Sequence, residues 1–197
     1  MLVVHPTTHL AGPAGADERA VGPSIQSVFR GLVEDAGRTR QVCDDVTSAA
    51  RRGRNCLVLS PWTAHVASLA HALRADGVEV FVLQGGIGKQ ARGLVVGSVE
   101  ALRPGGGAVV VATGSFLGEG FDCVALDALF LAFPIAFRGR LVQYVGRILR
   151  PMEGKTRVEV HDYVDAGVPV LARMHGRRLR GYASLGFDIR GDRPVSR

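Results

Sequence analysis

Apolar positions along the chain recur at two periods, and the switches between them mark out the elements. Residues 6–23 are rich in glycine, proline and alanine, show no period, and read as an irregular connection behind a short strand at 2–5. From there Ile25, Val28, Phe29 and Leu32 fall at helical spacing, with Ser24 placed to cap them. A second helix is predicted over 38–52, with Val42, Val46 and Ala49 on one side. A regular alternation follows. Short apolar strands are predicted at 56–60, 78–83, 108–113, 126–133 and 157–163. A helix running to about 76 follows the first of these, and further helices are predicted at 89–102, 139–149 and 168–184. In the helix ending near 76, Val66, Leu69, Ala70 and Leu73 point inward and Gly77 ends the run. Residues 190–197 are polar and are expected to fray.

Continuous β-branched runs alternating with helices predict an α/β fold, a mainly parallel sheet with helices on both faces. In such sheets ligands sit beyond the carboxyl ends of strands, here just after residues 60, 83, 113, 133 and 163. The expected organisation is a connection at 1–23, one domain at 24–186 with its core at about 56–163, and a tail at 187–197.

Composition narrows the class. The 197 residues are 47% hydrophobic, ordinary for a chain with a real core and too high for disorder. No apolar run approaches the ~20 residues that span a bilayer, and the first residues lack signal-peptide character, so a soluble, cytoplasmic chain is expected. Cys43, Cys56 and Cys123 lie far apart with no Cys-x-x-Cys pair, which argues for buried reduced thiols rather than disulfides or a zinc site. Net charge is +6, but residues 138–197 carry 13 basic and 6 acidic side chains, concentrating the excess in the last third. A phosphate-handling face and a solvated arginine-rich surface both fit that distribution.

Several chemistries are absent. Gly85-Gly-Ile-Gly-Lys89-Gln90 fails as a P-loop, because Leu83 stands at the first glycine position and Gln90 at the hydroxyl. There is no acidic cluster for magnesium, no nucleophile elbow around Ser115 and no metal-ligand spacing among the histidines. What remains is two constellations. In Gln143-Tyr-Val-Gly146-Arg147-Ile-Leu-Arg150-Pro151, helical spacing puts Gln143, Arg147 and Arg150 on one stripe, with Leu141, Val145, Ile148 and Leu149 on the apolar side. An amide and two guanidinium forks aligned in this way suit phosphate oxygens. Gly146 would let another backbone approach, and Pro151 ends the helix. In Val109-Val-Val-Ala-Thr113-Gly-Ser-Phe-Leu-Gly118-Glu-Gly120-Phe-Asp122, a buried strand ends in a hydroxyl, glycines and a carboxylate, where free N–H groups favour an anion.

The order and spacing of these segments resemble the C-terminal RecA-like domain of superfamily 2 helicases, nearest to the DEAD/DEAH-box-like group that includes restriction-enzyme translocase subunits. The resemblance covers about 56–163. Leu57-Val-Leu-Ser60 is similar to the family's fourth motif, and Leu83 through Arg92 to the glycine–lysine turn that follows it. Thr113 with Gly118 to Asp122 is similar to the fifth motif, and Gln143-x-x-Gly146-Arg147-x-x-Arg150 to the sixth. The resemblance implies a three-layer RecA-like lobe with site residues in two groups. Arg147 and Arg150 would reach the phosphates of ATP, Arg150 as arginine finger, with Gln143 near the γ-phosphate, Gly120 in the nucleotide site, and Asp122 contacting the ribose or steering an arginine. Ser60, Gly86, Lys89 and Thr113 would touch the backbone of DNA or RNA. No metal ligand is implied on this chain.

Two departures accompany the resemblance. Trp62 stands where similar proteins often carry arginine; it replaces a backbone contact by stacking, or it is a partly buried anchor. The first motor domain, with its P-loop and magnesium box, is missing, and the chain begins about where the connection between lobes would lie. ATP and Mg²⁺ are therefore expected only through a P-loop-containing partner lobe, and the isolated chain is expected to hydrolyse ATP negligibly. A stand-alone adaptor lobe that binds nucleic acid or protein is the alternative, and a small-molecule phosphate-binding α/β enzyme a further one. Residues 168–186, with Arg173, Arg177, Arg178 and Arg180, either continue the nucleic-acid path or form a simple surface helix.

Overall fold

The computed structural model describes residues 1–10, 24–114, 123–135, 138–187 and 189–191. The elements in chain order are β1 (Leu2–Pro6), α1 (Ile25–Glu34), α2 (Ala36–Arg51), β2 (Cys56–Leu59), α3 (Thr63–Ala75), β3 (Val80–Leu83), α4 (Lys89–Glu100), β4 (Val109–Ala112), β5 (Ala128–Leu131), α5 (Arg138–Ile148), β6 (Glu159–Val164), α6 (Pro169–Ser184) and β7 (Ile189–Gly191). The strands form one seven-stranded sheet in the order β3-β4-β2-β5-β6-β1-β7. Every pairing in it is parallel.

Although the central strands are apolar throughout, their side chains still part by period two. Leu57 and Leu59 of β2 and Val110 and Ala112 of β4 face a core closed by α4, α5 and α6, through Val99, Val145, Ile148 and Tyr182. Cys56 and Val58, with Val109 and Val111, face the opposite core, closed by Val42 and Val46 of α2 and Val66 and Leu69 of α3. This is the expected three-layer arrangement. A smaller cluster packs α1 against Phe133 and α6. Ser24 caps α1 by accepting from the Ser27 N–H at 3.2 Å.

The sheet is wider than the periodicity indicated. Leu2–Pro6 is an internal strand between β6 and β7, so the head of the 1–23 connection belongs to the sheet. Ile189–Gly191, placed in the tail, is the last strand. Residues 11–23 lie outside the described residues. All three cysteines are buried and free. Among the described residues no helix is long and apolar enough to cross a membrane.

Buried ion pairs bind the layers to the sheet. Arg178 of α6 donates to both carboxylate oxygens of Asp162 at 2.7 and 2.8 Å, with the Tyr182 hydroxyl on the same carboxylate at 3.1 Å. Arg38 of α2 donates to Asp165 at 2.8 Å and to the Ala132 carbonyl at 2.6 Å. The basic helix is therefore not uniformly a surface feature. Arg173, Arg177 and Arg180 are exposed, while Arg178 is structural.

Candidate functional site

The candidate residues separate to the two ends of the sheet. Three adjacent strands deliver the first group to the carboxyl edge. Residues 60–62 follow β2, Thr113 follows β4, and the turn at Gly85 and Gly86, with Lys89 opening α4, follows β3. The edge is stitched by Ser60 N–H to the Ala112 carbonyl at 3.2 Å and Thr113 N–H to the Leu83 carbonyl at 3.0 Å. Gly86 sits at φ +85°, a backbone shape that favours glycine, and its exposed turn carries Lys89 into solvent.

The two hydroxyl residues at this edge lie in its floor rather than on its surface. Ser60 is 1% exposed and Thr113 4%. The Ser60 hydroxyl is held within hydrogen-bond distance of His65 Nδ1, at 3.0 Å, and accepts from the Trp62 N–H at 3.3 Å. Ser60, expected to touch a phosphate, thus also fixes the β2–α3 turn. His65 is fully buried, and burial, with Arg38 nearby, pushes its pKa down to about 4, so the imidazole is neutral. Trp62 stands outward at 39% exposure.

The second group lies toward the amino ends. α5 starts beyond the carboxyl end of β5 and runs back across the sheet; its 11 residues cover about 16 Å. Leu141, Tyr144, Val145 and Ile148 are its buried face, while Gln143 is exposed and Arg147 half-buried on the other. Leu149, expected inside, is exposed, and Tyr144 occupies the apolar face instead. Arg150 lies two residues past the last helical residue, so the helical stripe ends at Arg147. The cause is Pro151, which disfavours helical backbone in the residue before it.

Arg150 is positioned by Lys155 rather than by the helix. The Lys155 ammonium donates to the carbonyls of Ile148, Arg150 and Val124 at 2.5, 2.9 and 3.1 Å. It caps the C-terminal end of α5 and ties it to the chain just after Asp122. Burial there lowers the ammonium's pKa from its ordinary value. Arg150, Lys155, Thr156, Arg157 and Phe187 line an open cleft of about 430 Å³ beside Met1 and Val158, at the amino ends of β1 and β6. Gly120 and Asp122 lie outside the described residues.

Two glycines exchange roles relative to expectation. A Cβ on Gly146 would meet nothing within 4 Å outside its own helix among the described residues. A Cβ on Gly114 would overlap the Tyr144 hydroxyl and lie 3.1 Å from ring atom Cζ. Tyr144 of α5 is thus packed directly on the turn after β4, joining the two constellations inside the lobe. Neither Tyr144 nor Lys155 was singled out by sequence. Both act through tertiary contacts that local spacing does not encode.

The arrangement offers cations and an amide at one end and a cationic, glycine-bearing rim at the other. Among the described residues no cluster of three or more His, Cys, Asp or Glu is placed to hold a metal ion. No protein-family model and no curated protein matches the chain. Solved structures do match. T4 UvsW aligns over 96% of this chain and 40% of its own, with TM-score 0.72 and 16% identity. The C-terminal part of the Fun30 ATPase domain aligns over 73% of this chain and 46% of its own, with TM-score 0.60 and 13% identity. Mss116p DEAD-box helicase domain 2, solved bound to an RNA duplex, aligns over 99% of this chain and 64% of its own, with TM-score 0.58 and 12% identity. The chain therefore spans less than two thirds of each of these structures. Its fold is that of a C-terminal RecA-like helicase lobe.

Proposed function

We propose that this chain is the second motor lobe of an ATP-dependent nucleic-acid helicase or translocase. The observation that supports the reading is the likeness of the fold to T4 UvsW, the C-terminal part of the Fun30 ATPase domain and Mss116p DEAD-box helicase domain 2, over 73–99% of this chain. The Gly86 turn and Lys89 are exposed after β3, and Arg150 lies in the cleft at the amino ends of β1 and β6. Lys89 and the Gly86 turn hold the phosphodiester backbone, with Thr113 and Ser60 shaping the floor beneath them. Contacts of this kind are blind to sequence. Arg147 and Arg150 extend toward the β- and γ-phosphates of ATP seated on a P-loop lobe, Gln143 toward the γ-phosphate, and Gly120 and Asp122 toward the ribose. Arg150 is the finger that neutralises charge on the transferring phosphoryl group. The chain's own residues supply neither the cradle nor the magnesium carboxylates, so ATP is bound and turned over only with the partner lobe.

The test uses the purified chain alone. With about three phosphates neutralised on a single strand, log affinity falls with log salt at a slope of roughly −2. ATP turnover stays at background with or without the strand. A salt-independent affinity, or strand-stimulated ATP hydrolysis by the lone chain, overturns the reading.

A further inference from the structure

Resting on the nucleic-acid reading above, we propose that Trp62 is a stacking platform for an unpaired base, so that this lobe selects single strands with bases over bare or duplexed backbone. The indole takes no part in capping the helix it opens. Trp62 is the N-cap residue of α3, a position that favours Ser, Thr, Asp or Asn, and its side chain makes no capping bond. Its backbone does the structural work there. The N–H goes to the Ser60 hydroxyl at 3.3 Å, and the carbonyl accepts the Val66 N–H at 2.9 Å.

The side chain is nevertheless held in place. It leans on Phe133, with centroids 6.4 Å apart and planes tilted by 45°. Phe133 is itself buried and set edge-on to Phe29 at 4.9 Å. One side of the indole is therefore backed by a fixed aromatic row, while 39% of the residue remains in water. An aromatic kept rigid and partly solvated is preorganised for a flat apolar ligand. A nucleic-acid base is such a ligand, and every base has the required face.

Position selects the base rather than some other flat group. Trp62 follows β2, whose carboxyl end is bonded to that of β4, which is bonded in turn to β3. With strands about 4.8 Å apart, the carboxyl ends of β2, β4 and β3 span about 10 Å, with Trp62 opening α3 on one face of the sheet and Lys89 opening α4 on the other. A strand that meets Lys89 and crosses this edge over Thr113 comes to the indole on the far side. In a duplex the bases are already stacked and paired, so the platform has nothing to bind.

Trp62 is the chain's only tryptophan, so intrinsic fluorescence reports on this site alone. The experiment titrates the chain with a 12-mer of oligothymidylate, an abasic 12-mer of equal length and charge, and a 12-base-pair duplex, at one low salt concentration. Oligothymidylate is expected to quench the fluorescence and to bind about 5- to 150-fold more tightly than the abasic strand. The duplex follows the abasic strand. Trp62→Ala, shown folded by circular dichroism, loses the preference, and Trp62→Phe keeps part of it. Equal affinity for the strands with and without bases, unchanged in Trp62→Ala, overturns the stacking role, leaves the backbone-binding reading intact, and assigns the indole to a protein contact or an anchor. Absence of binding to all three probes overturns both.

Discussion

Replacing Gly114 by alanine tests the contact that joins the two constellations. The new Cβ would overlap the Tyr144 hydroxyl and press on Cζ at 3.1 Å, with Cε2 at 3.8 Å. The ring cannot swing away at low cost, because Tyr144 is buried in the core with Leu141, Val145 and Ile148. The displacement passes into α5 or into the turn after β4. Overpacking of this kind costs ~1–3 kcal/mol, about 2–12 °C in Tm for a chain of this size. Tyr144→Phe removes the overlapping oxygen but not Cζ, so it relieves most of the clash. Urea unfolding of the wild type, both single variants and the double variant measures the coupling. The double variant is expected to be more stable than the sum of the single effects predicts, by at least ~1 kcal/mol, with unchanged m-values. Additivity within about 0.5 kcal/mol, or a harmless Gly114→Ala, would show that this packing is not as described.

Two further expectations concern buried ionisable groups. Folding holds His65 neutral, with a pKa of about 4 against an ordinary 6.5, so the unfolded chain takes up its proton first as pH falls. Stability is therefore lost between pH 6.5 and 4, in total about 3 kcal/mol from this group. His65→Leu should flatten that part of a urea-midpoint profile, and an unchanged slope would contradict it. The Asp162 carboxyl is surrounded by Arg178, Tyr182 and His175, and the buried Arg178 guanidinium beside it holds its pKa down at about 2. Its contribution is complete above the ordinary pKa of 3.8 and is lost as pH falls through about 2. Asp162→Asn leaves Arg178 buried without a counter-charge and is expected to cost about 3–5 kcal/mol by urea unfolding at neutral pH. A loss below 1 kcal/mol would show that Arg178 finds other partners.

The strands and most helix faces were legible in sequence because each announces itself locally. Val109 to Ala112 is an unbroken β-branched run, and Val66, Leu69, Ala70 and Leu73 keep a helical period that the fold buries. Ser24 could be placed as a cap from its type and position alone. What escaped depends on partners distant in sequence. β7 is a strand because β1 offers it an open edge, and residues 189–191 carry no alternation of their own. Tyr144, not Leu149, completes the buried face of α5, because its ring packs over Gly114. Arg178 reads as one of four surface arginines until Asp162 is found beneath it. The glycine that matters for close approach is Gly114, and nothing in its neighbours' identities distinguishes it from Gly146.

The layout of the candidate residues was not legible in sequence. Sequence placed Arg147 and Arg150 at the rim where Thr113 emerges, following the general rule for parallel sheets. α5, however, carries them back toward the opposite ends of the strands, and Pro151 takes Arg150 out of the helix. A shared edge for Arg150 and Thr113 therefore does not support the motor-lobe reading, which rests on the likeness of the fold.

The most direct test of that reading is the rate of strand-stimulated ATP hydrolysis by the chain joined to a P-loop-bearing first motor lobe, compared with the same assembly carrying Arg150→Ala. The account predicts that kcat falls by about 10³–10⁵, the contribution of an arginine finger, while strand affinity is retained. Equal rates in the two assemblies would contradict it.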